Sequence, residues 1–160
     1  MKSIIQIADT IGNKELLSLK KTTFLCSRKI PAQAILTCYD WAIQQRENNN
    51  CVISGFHSKI EKDVFHYLAK GKQPIIMALP RGLKTKWEPE IQELLKTGRL
   101  LIVTPFGKDI KRITKDTAAI RNQLMIELAD EIVVGFKSPD GNLESMISSN
   151  KISTPIIFLV

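Results

Sequence analysis

The chain has 160 residues, 44% of them hydrophobic, which suffices for one domain with a core of its own. A formal charge of +7 sets up a field that favours polyanions, nucleic acid first and anionic lipid or nucleotides second. No apolar run approaches the ~20 residues of a membrane span, and three cysteines without C-x-x-C spacing, Cys26, Cys38 and Cys51, argue against a zinc centre and read as reduced, mostly buried thiols.

At the N-terminus, MKSIIQIADTIGNKELL is broken by Asp9, Lys14 and Glu15 before a signal-peptide core can form. Residues 1–22 are therefore expected to be a lead-in segment, and the protein cytoplasmic. Apolar, often β-branched runs follow at TFLCS (23–27), CVISG (51–55), PIIMALP (74–80), LLIVTP (100–105), EIVVGF (131–136) and PIIFLV (155–160). They do not alternate with polar residues, as strands buried on both faces of a parallel sheet do not. Between them lie helical patterns, with Tyr39, Asp40 and Trp41 in the first. The next is the best marked: Ser58 and Glu61 form a capping box, Ile60, Val64 and Leu68 form one stripe, and Gly71 is the terminator. After Trp87 comes a helix with Ile91, Leu94 and Leu95 before Gly98, and near Thr117 another with Ile120, Leu124 and Leu128. Glu127 and Asp130 are expected to face solvent.

Strand and helix alternate, and right-handed crossovers then predict an α/β, Rossmann-like, doubly wound and mostly parallel sheet of about six strands, with helices on both faces. The expectation is a single domain over 1–160 with no C-terminal winged helix and no N-terminal helical domain.

In such a sheet ligands bind outside the carboxyl ends of the strands, near the switch point. That rule selects Ser27-Arg28, Ser54-Gly55, Arg81-Gly82, Pro105-Phe106-Gly107 and Pro139-Asp140-Gly141. Glycines admit backbone N–H groups close to phosphate oxygens, helix N-termini add partial positive charge, and arginine offers a bidentate fork. Lys59, Lys84, Lys86, Lys108, Lys111, Arg112, Lys115 and Arg121 add charge around these ends. Ordinary turn glycines and solvated lysines would produce the same pattern, so spacing alone leaves phosphate binding and plain turn chemistry both open. Neither G-x-G-x-x-G nor G-x-x-x-x-G-K-[ST] occurs, and no cofactor is expected. His57 is the one candidate acid or base; His66 reads as a helix residue without a role. No catalytic grouping stands at the strand ends, which favours binding over chemistry.

Taken in order, these residues resemble the DNA-processing protein A (DprA/Smf) family, whose Rossmann-like domain is related to the Lonely Guy nucleotide-binding superfamily. GNKELL at 12–17 is similar to that family's G-N-x-x-L-L, CSR at 26–28 to G-S-R, and SGFHSKIEKDVF from 54 to S-G-x-A-x-G-I-D-x-x-A-H. The register continues to ALPRGL, similar to V-L-G-x-G-L. GRLLIVTPFG at 98–107 resembles G-x-L-L-S-E-x-P-x-G, IRNQLMIELAD resembles R-N-R-I-I-x-x-L-A-D, and GNLES at 141–145 resembles G-S-L-x-T at the start of the last helix. The resemblance implies non-catalytic binding of single-stranded DNA in a basic pocket, a recombinase partner in DNA uptake and recombination, and a homodimer, with no membrane. It assigns the contacts to Ser27, Arg28, Ser54, Gly55, Gly82, Arg121 and Asn122; Lys59 and Arg81 join them as neighbouring cations.

Departures mark where this chain differs. Lys59 replaces the second glycine after Ser-Gly, where a side chain would obstruct backbone approach unless its ammonium takes the phosphate itself. Glu61 stands for aspartate, Phe65 for histidine, Ile102-Val103 for Ser-Glu, and Gln123 for the second arginine of R-N-R. Two alternatives stand beside the DNA reading. One is a nucleotide-binding or nucleotide-hydrolysing protein of the Lonely Guy phosphoribohydrolase type, for which the nearest stretch is SPDGNLES with Glu144. The other is a degenerate scaffold that keeps only the fold.

Overall fold

The computed structural model describes residues 5–139, 141–149 and 152–160. Along the chain run β1 (Asp9–Gly12), a 3-10 turn (Lys14–Ser18), β2 (Lys21–Leu25), α1 (Ala32–Glu47), β3 (Cys51–Ser54), α2 (Lys59–Ala69), β4 (Ile75–Ala78), α3 (Pro89–Lys96), β5 (Leu100–Thr104), α4 (Lys115–Leu128), β6 (Glu131–Val134), α5 (Asn142–Ser149) and β7 (Ile156–Phe158). The strands form one sheet in the order β1-β5-β4-β3-β2-β6-β7. All neighbours are parallel except β1, which runs antiparallel to β5 with Asp9 opposite Thr104 and Gly12 opposite Leu101. The strand order reverses between β2 and β6, so the switch point lies where those two strands end.

Every residue of β2, β3, β4 and β5 is buried, which is why their sequences are continuous apolar runs rather than alternating ones. The alternation appears in the destinations. Phe24, Val52, Ile75 and Ile102 pack with α1, α2 and α3 on one face, whereas Leu25, Ile53, Ile76 and Leu101 pack with α4 on the other, where Leu143 and Met146 of α5 join them. Helices on both faces make the sheet doubly wound, as the sequence predicts.

The strand count differs by one. β1 carries the mixed sequence DTIG and is only half covered, so it lacks the apolar signal that betrays a buried strand. In α2 the capping box is present: Ser58 Oγ accepts from Glu61 N at 3.3 Å, while Glu61 Oε1 accepts from Ser58 N at 3.1 Å. Ile60, Val64 and Leu68 are buried as the stripe requires. Gly98 follows α3 with a φ of +76°, a left-handed conformation that glycine adopts without strain.

The stripe of α4 sits in a different phase from the expected one. Ile120 is 38% exposed, and Arg121 turns inward beside Leu124 and Met125. Apolar periodicity finds the helix but not the phase of an inner face that includes an arginine. Glu127 and Asp130 are also more engaged than expected: Glu127 Oε1 accepts from Ile5 N at 2.7 Å, and Asp130 Oδ2 accepts from Lys21 N at 2.8 Å. The backbone bond to Lys21 is the main reason the Asp130 carboxyl lies below its usual pKa.

Candidate nucleic-acid interface

The carboxyl ends of β2 and β6 are tied together by the residues that follow them. Ser27 N donates to Phe136 O at 2.9 Å, and Ser27 Oγ accepts from Ser138 N at 2.9 Å. Beyond this tie a cleft of about 1130 Å³ opens at the switch point, between the loop after β2, the β3–α2 turn, the first half of α4 and the start of α5.

Arg121 forms part of its lining, and only 6% of the residue is exposed. Its Nη1 donates to Ala78 O at 3.2 Å and its Nε to Asn122 Oδ1 at 2.9 Å. Among the described residues no carboxylate comes within ion-pair distance of the guanidinium. Burial of a charge without a directly paired countercharge is costly, and it pulls the Arg121 pKa down from its ordinary value, with Arg28 adding to the effect and Glu61 opposing it. Gly55 makes the position possible: a Cβ there would collide with the Arg121 guanidinium.

Arg28, Lys29 and Lys115 also line the cleft, against one carboxylate among the described lining residues, Glu61. The Glu61 carboxylate accepts from both His57 N and Ser58 N, at 3.0 and 3.1 Å. Ser58 N is one of the donors at the start of α2, and the carboxylate brings negative charge to that end of the helix. The positive end of α2 thus carries the glutamate of its own capping box at the cleft. His57 is held below its usual pKa, first by burial and then by Arg121 and Arg28.

Ser27, Arg28, Arg121 and Asn122 come together in the cleft. Ser54 lies behind it, fully buried, its Oγ accepting from Phe56 N at 3.3 Å. Lys59 lies outside, on the solvent side of α2, where its ammonium pairs with Asp63 at 3.0 Å; it neither blocks the cleft nor reaches into it. Arg81 and Gly82 belong to the neighbouring ends of β4 and β5. Arg81 Nε turns back to Gly82 O at 3.1 Å, Gly82 N donates to Ile110 O at 2.7 Å, and a Cβ on Gly82 would collide with Gly107 O. Of the basic residues expected around the strand ends, Lys84 pairs with Glu88 at 3.8 Å beside Trp87, and only Lys115 and Arg121 line the cleft. Asp140 lies outside the described residues.

The sequence offers no signal for Ile113, Ala118 and Met146, which with Leu143 build the apolar side of the cleft. Phe56 is buried against Phe65 at 4.9 Å between ring centroids. It also holds a φ of +48°, an uncommon conformation for a bulky side chain, at the turn that carries His57 into the cleft.

No protein-family model and no curated protein matches the chain. Solved structures do. DNA processing protein A from Helicobacter pylori, a structure described for its single-stranded DNA binding mode, is similar with a TM-score of 0.76 at 20% identity, covering 93% of this chain and 69% of that one. DNA processing protein A from Streptococcus pneumoniae gives 0.72 at 17% identity, over 93% of this chain and 53% of that one, so this chain spans about half of the pneumococcal protein. The molybdenum cofactor binding protein from Rippkaea orientalis is more distant, with a TM-score of 0.61 at 12% identity over 87% of this chain and 75% of that one. The fold is that of a DprA-like Rossmann domain, in agreement with the ordered landmarks of the sequence.

Proposed function

We propose that this chain binds single-stranded DNA through its phosphates in the cleft at the switch point. The observation that carries the reading is Arg121, a residue only 6% exposed in the cleft lining, whose guanidinium has no ion-paired carboxylate among the described residues. A phosphate would supply the missing charge, and the planar fork suits it. Arg28, Lys29 and Lys115 lie on the approach. The structural similarity to two DNA processing proteins, one described with single-stranded DNA, supports the same substrate class. In this reading the chain is a cytoplasmic, non-catalytic module acting as a single domain, and the recombinase partner and homodimer implied by the family resemblance belong to the same proposal.

The test is fluorescence anisotropy of a labelled poly-dT oligonucleotide at two salt concentrations, with Arg28→Ala/Arg121→Ala alongside. Binding that weakens with salt and is lost in the double variant supports the proposal, because phosphate contacts release counterions. Absence of binding at the lower salt would falsify it.

A free nucleotide is the second reading, favoured by the size and concavity of a cleft with one deeply buried anion partner. It predicts that adenosine monophosphate displaces the oligonucleotide at concentrations comparable to its own affinity. Hydrolysis of the nucleotide finds no support in the geometry. Glu144 does not line the cleft, and Glu61, which does, is held by two backbone amides.

A further inference from the structure

Cys26 and Cys38 take no part in the reading above. Cys26 follows β2 and lines the cleft, half-buried, while Cys38 lies in the second turn of α1 and is fully buried. Gly135 brings them together. The register pairs Leu25 with Val134, so the residues that follow, Cys26 and Gly135, are neighbours across the two strand ends. Gly135 N to Leu25 O at 2.8 Å and Ser27 N to Phe136 O at 2.9 Å hold that alignment. A Cβ on Gly135 would lie 2.6 Å from Cys38 Sγ; the sulfur fills the space that the missing side chain leaves. Both sulfurs belong to the same cluster on one face of the sheet, and each acts on the other: the pKa of Cys38 is lowered, while that of Cys26, beside Cys38 and partly buried, is raised. Cys51 packs in the cluster on the other face of the sheet and stands apart from the pair.

We infer that Cys26 and Cys38 form an oxidisable dithiol in the cleft wall, which a small peroxide entering the cleft converts to a disulfide. Cys26 is the member of the pair that lines the cleft, and it reacts as the thiolate, after losing its proton to solvent. That sulfur attacks one peroxide oxygen; an S–O bond forms, the O–O bond breaks, and with a proton from solvent one water leaves. Cys38 sulfur then attacks Cys26 sulfur, the S–S bond forms, the S–O bond breaks, and the Cys38 proton leaves with the second water. Two thiols and one hydrogen peroxide give one disulfide and two waters. The inference does not depend on what the cleft binds.

The experiment treats the reduced, folded protein with hydrogen peroxide, then unfolds it in iodoacetamide and maps the peptides by mass. The expected result is an intramolecular link between the Cys26 and Cys38 peptides, a loss of about 2 Da, full alkylation of Cys51, and return of both thiols with dithiothreitol. Cys51→Ser should form the same bridge. In Cys38→Ser, Cys26 should instead be trapped as a sulfenic acid by dimedone. Recovery of Cys26 and Cys38 fully alkylated, or a bridge that involves Cys51 or a second chain, overturns the inference. Because the decisive measurement uses the unmodified protein, a variant that fails to fold leaves it intact.

Discussion

Gly55 and Gly82 both stand just beyond strands and both sit against another group, yet a methyl group would meet different things at the two places. At Gly55 it meets the guanidinium of Arg121; at Gly82 it meets the backbone carbonyl of Gly107. Gly55→Ala should therefore displace the anion partner and lower oligonucleotide affinity by roughly tenfold, about 1.4 kcal/mol, with a small shift in the urea midpoint. Gly82→Ala has no side chain to push aside and should cost about 1–3 kcal/mol of stability with the cleft intact. Titrations and urea melts of the pair separate the effects, and wild-type affinity in Gly55→Ala would remove Arg121 from the binding reading. His57 supplies a second test. Its folded pKa is depressed, so the folded state disfavours the imidazolium, and this costs stability as pH falls through about 6.5, where an unfolded histidine takes up its proton. A phosphate in the cleft reverses the preference by favouring the charged ring. Oligonucleotide affinity should therefore rise as pH drops from about 7.5 toward 6, and His57→Gln should flatten that rise. At this scale the sequence was partly legible. Arg28, Arg121 and Asn122 are found by motif order, but the misplacement of Lys59 shows the limit: adjacency to a turn does not say on which side of a helix a side chain emerges.

Among the elements, β2 to β6 were readable because burial on both faces leaves little room for polar residues, and β7, largely exposed, because its run is apolar all the same. β1 and the inner face of α4 were not, the first because an edge strand tolerates polar residues and the second because its inward face carries Arg121. α2 shows a further gap. Its capping box is visible in the sequence, but the direction in which Glu61 faces depends on the tertiary packing of Ile60, Val64 and Leu68. The consequence is measurable. Glu61→Gln retains an acceptor for the His57 and Ser58 amides while removing the one carboxylate among the described cleft-lining residues, so oligonucleotide affinity should increase several-fold at low salt. Ser58→Ala removes the other half of the box and should cost about 1 kcal/mol of stability without strengthening binding. An unchanged affinity in Glu61→Gln would mean that bound anions lie away from the start of α2.

For the whole molecule, the net charge of +7 matters less than its placement. Most of the loop lysines expected to assist binding lie outside the cleft, and among the described lining residues Arg28, Lys29, Lys115 and Arg121 are opposed by Glu61. No phenylalanine, tyrosine or tryptophan is among the described lining residues, so stacking has little to offer and affinity should depend on charge with little preference for base. Arg28→Ala should reduce the slope of log affinity against log salt by about one, with poly-dT and poly-dA affected alike. The antiparallel seam between β1 and β5 bears on how the molecule is made. β1 leaves the ribosome early, but its partner, Leu101–Thr104, emerges only after β2, β3 and β4; β2 in turn waits for β6 on one side. At about 5–20 residues per second, this leaves the N-terminal segment unpaired for several seconds of synthesis, so closure of that sheet edge belongs to a late stage of folding on the ribosome.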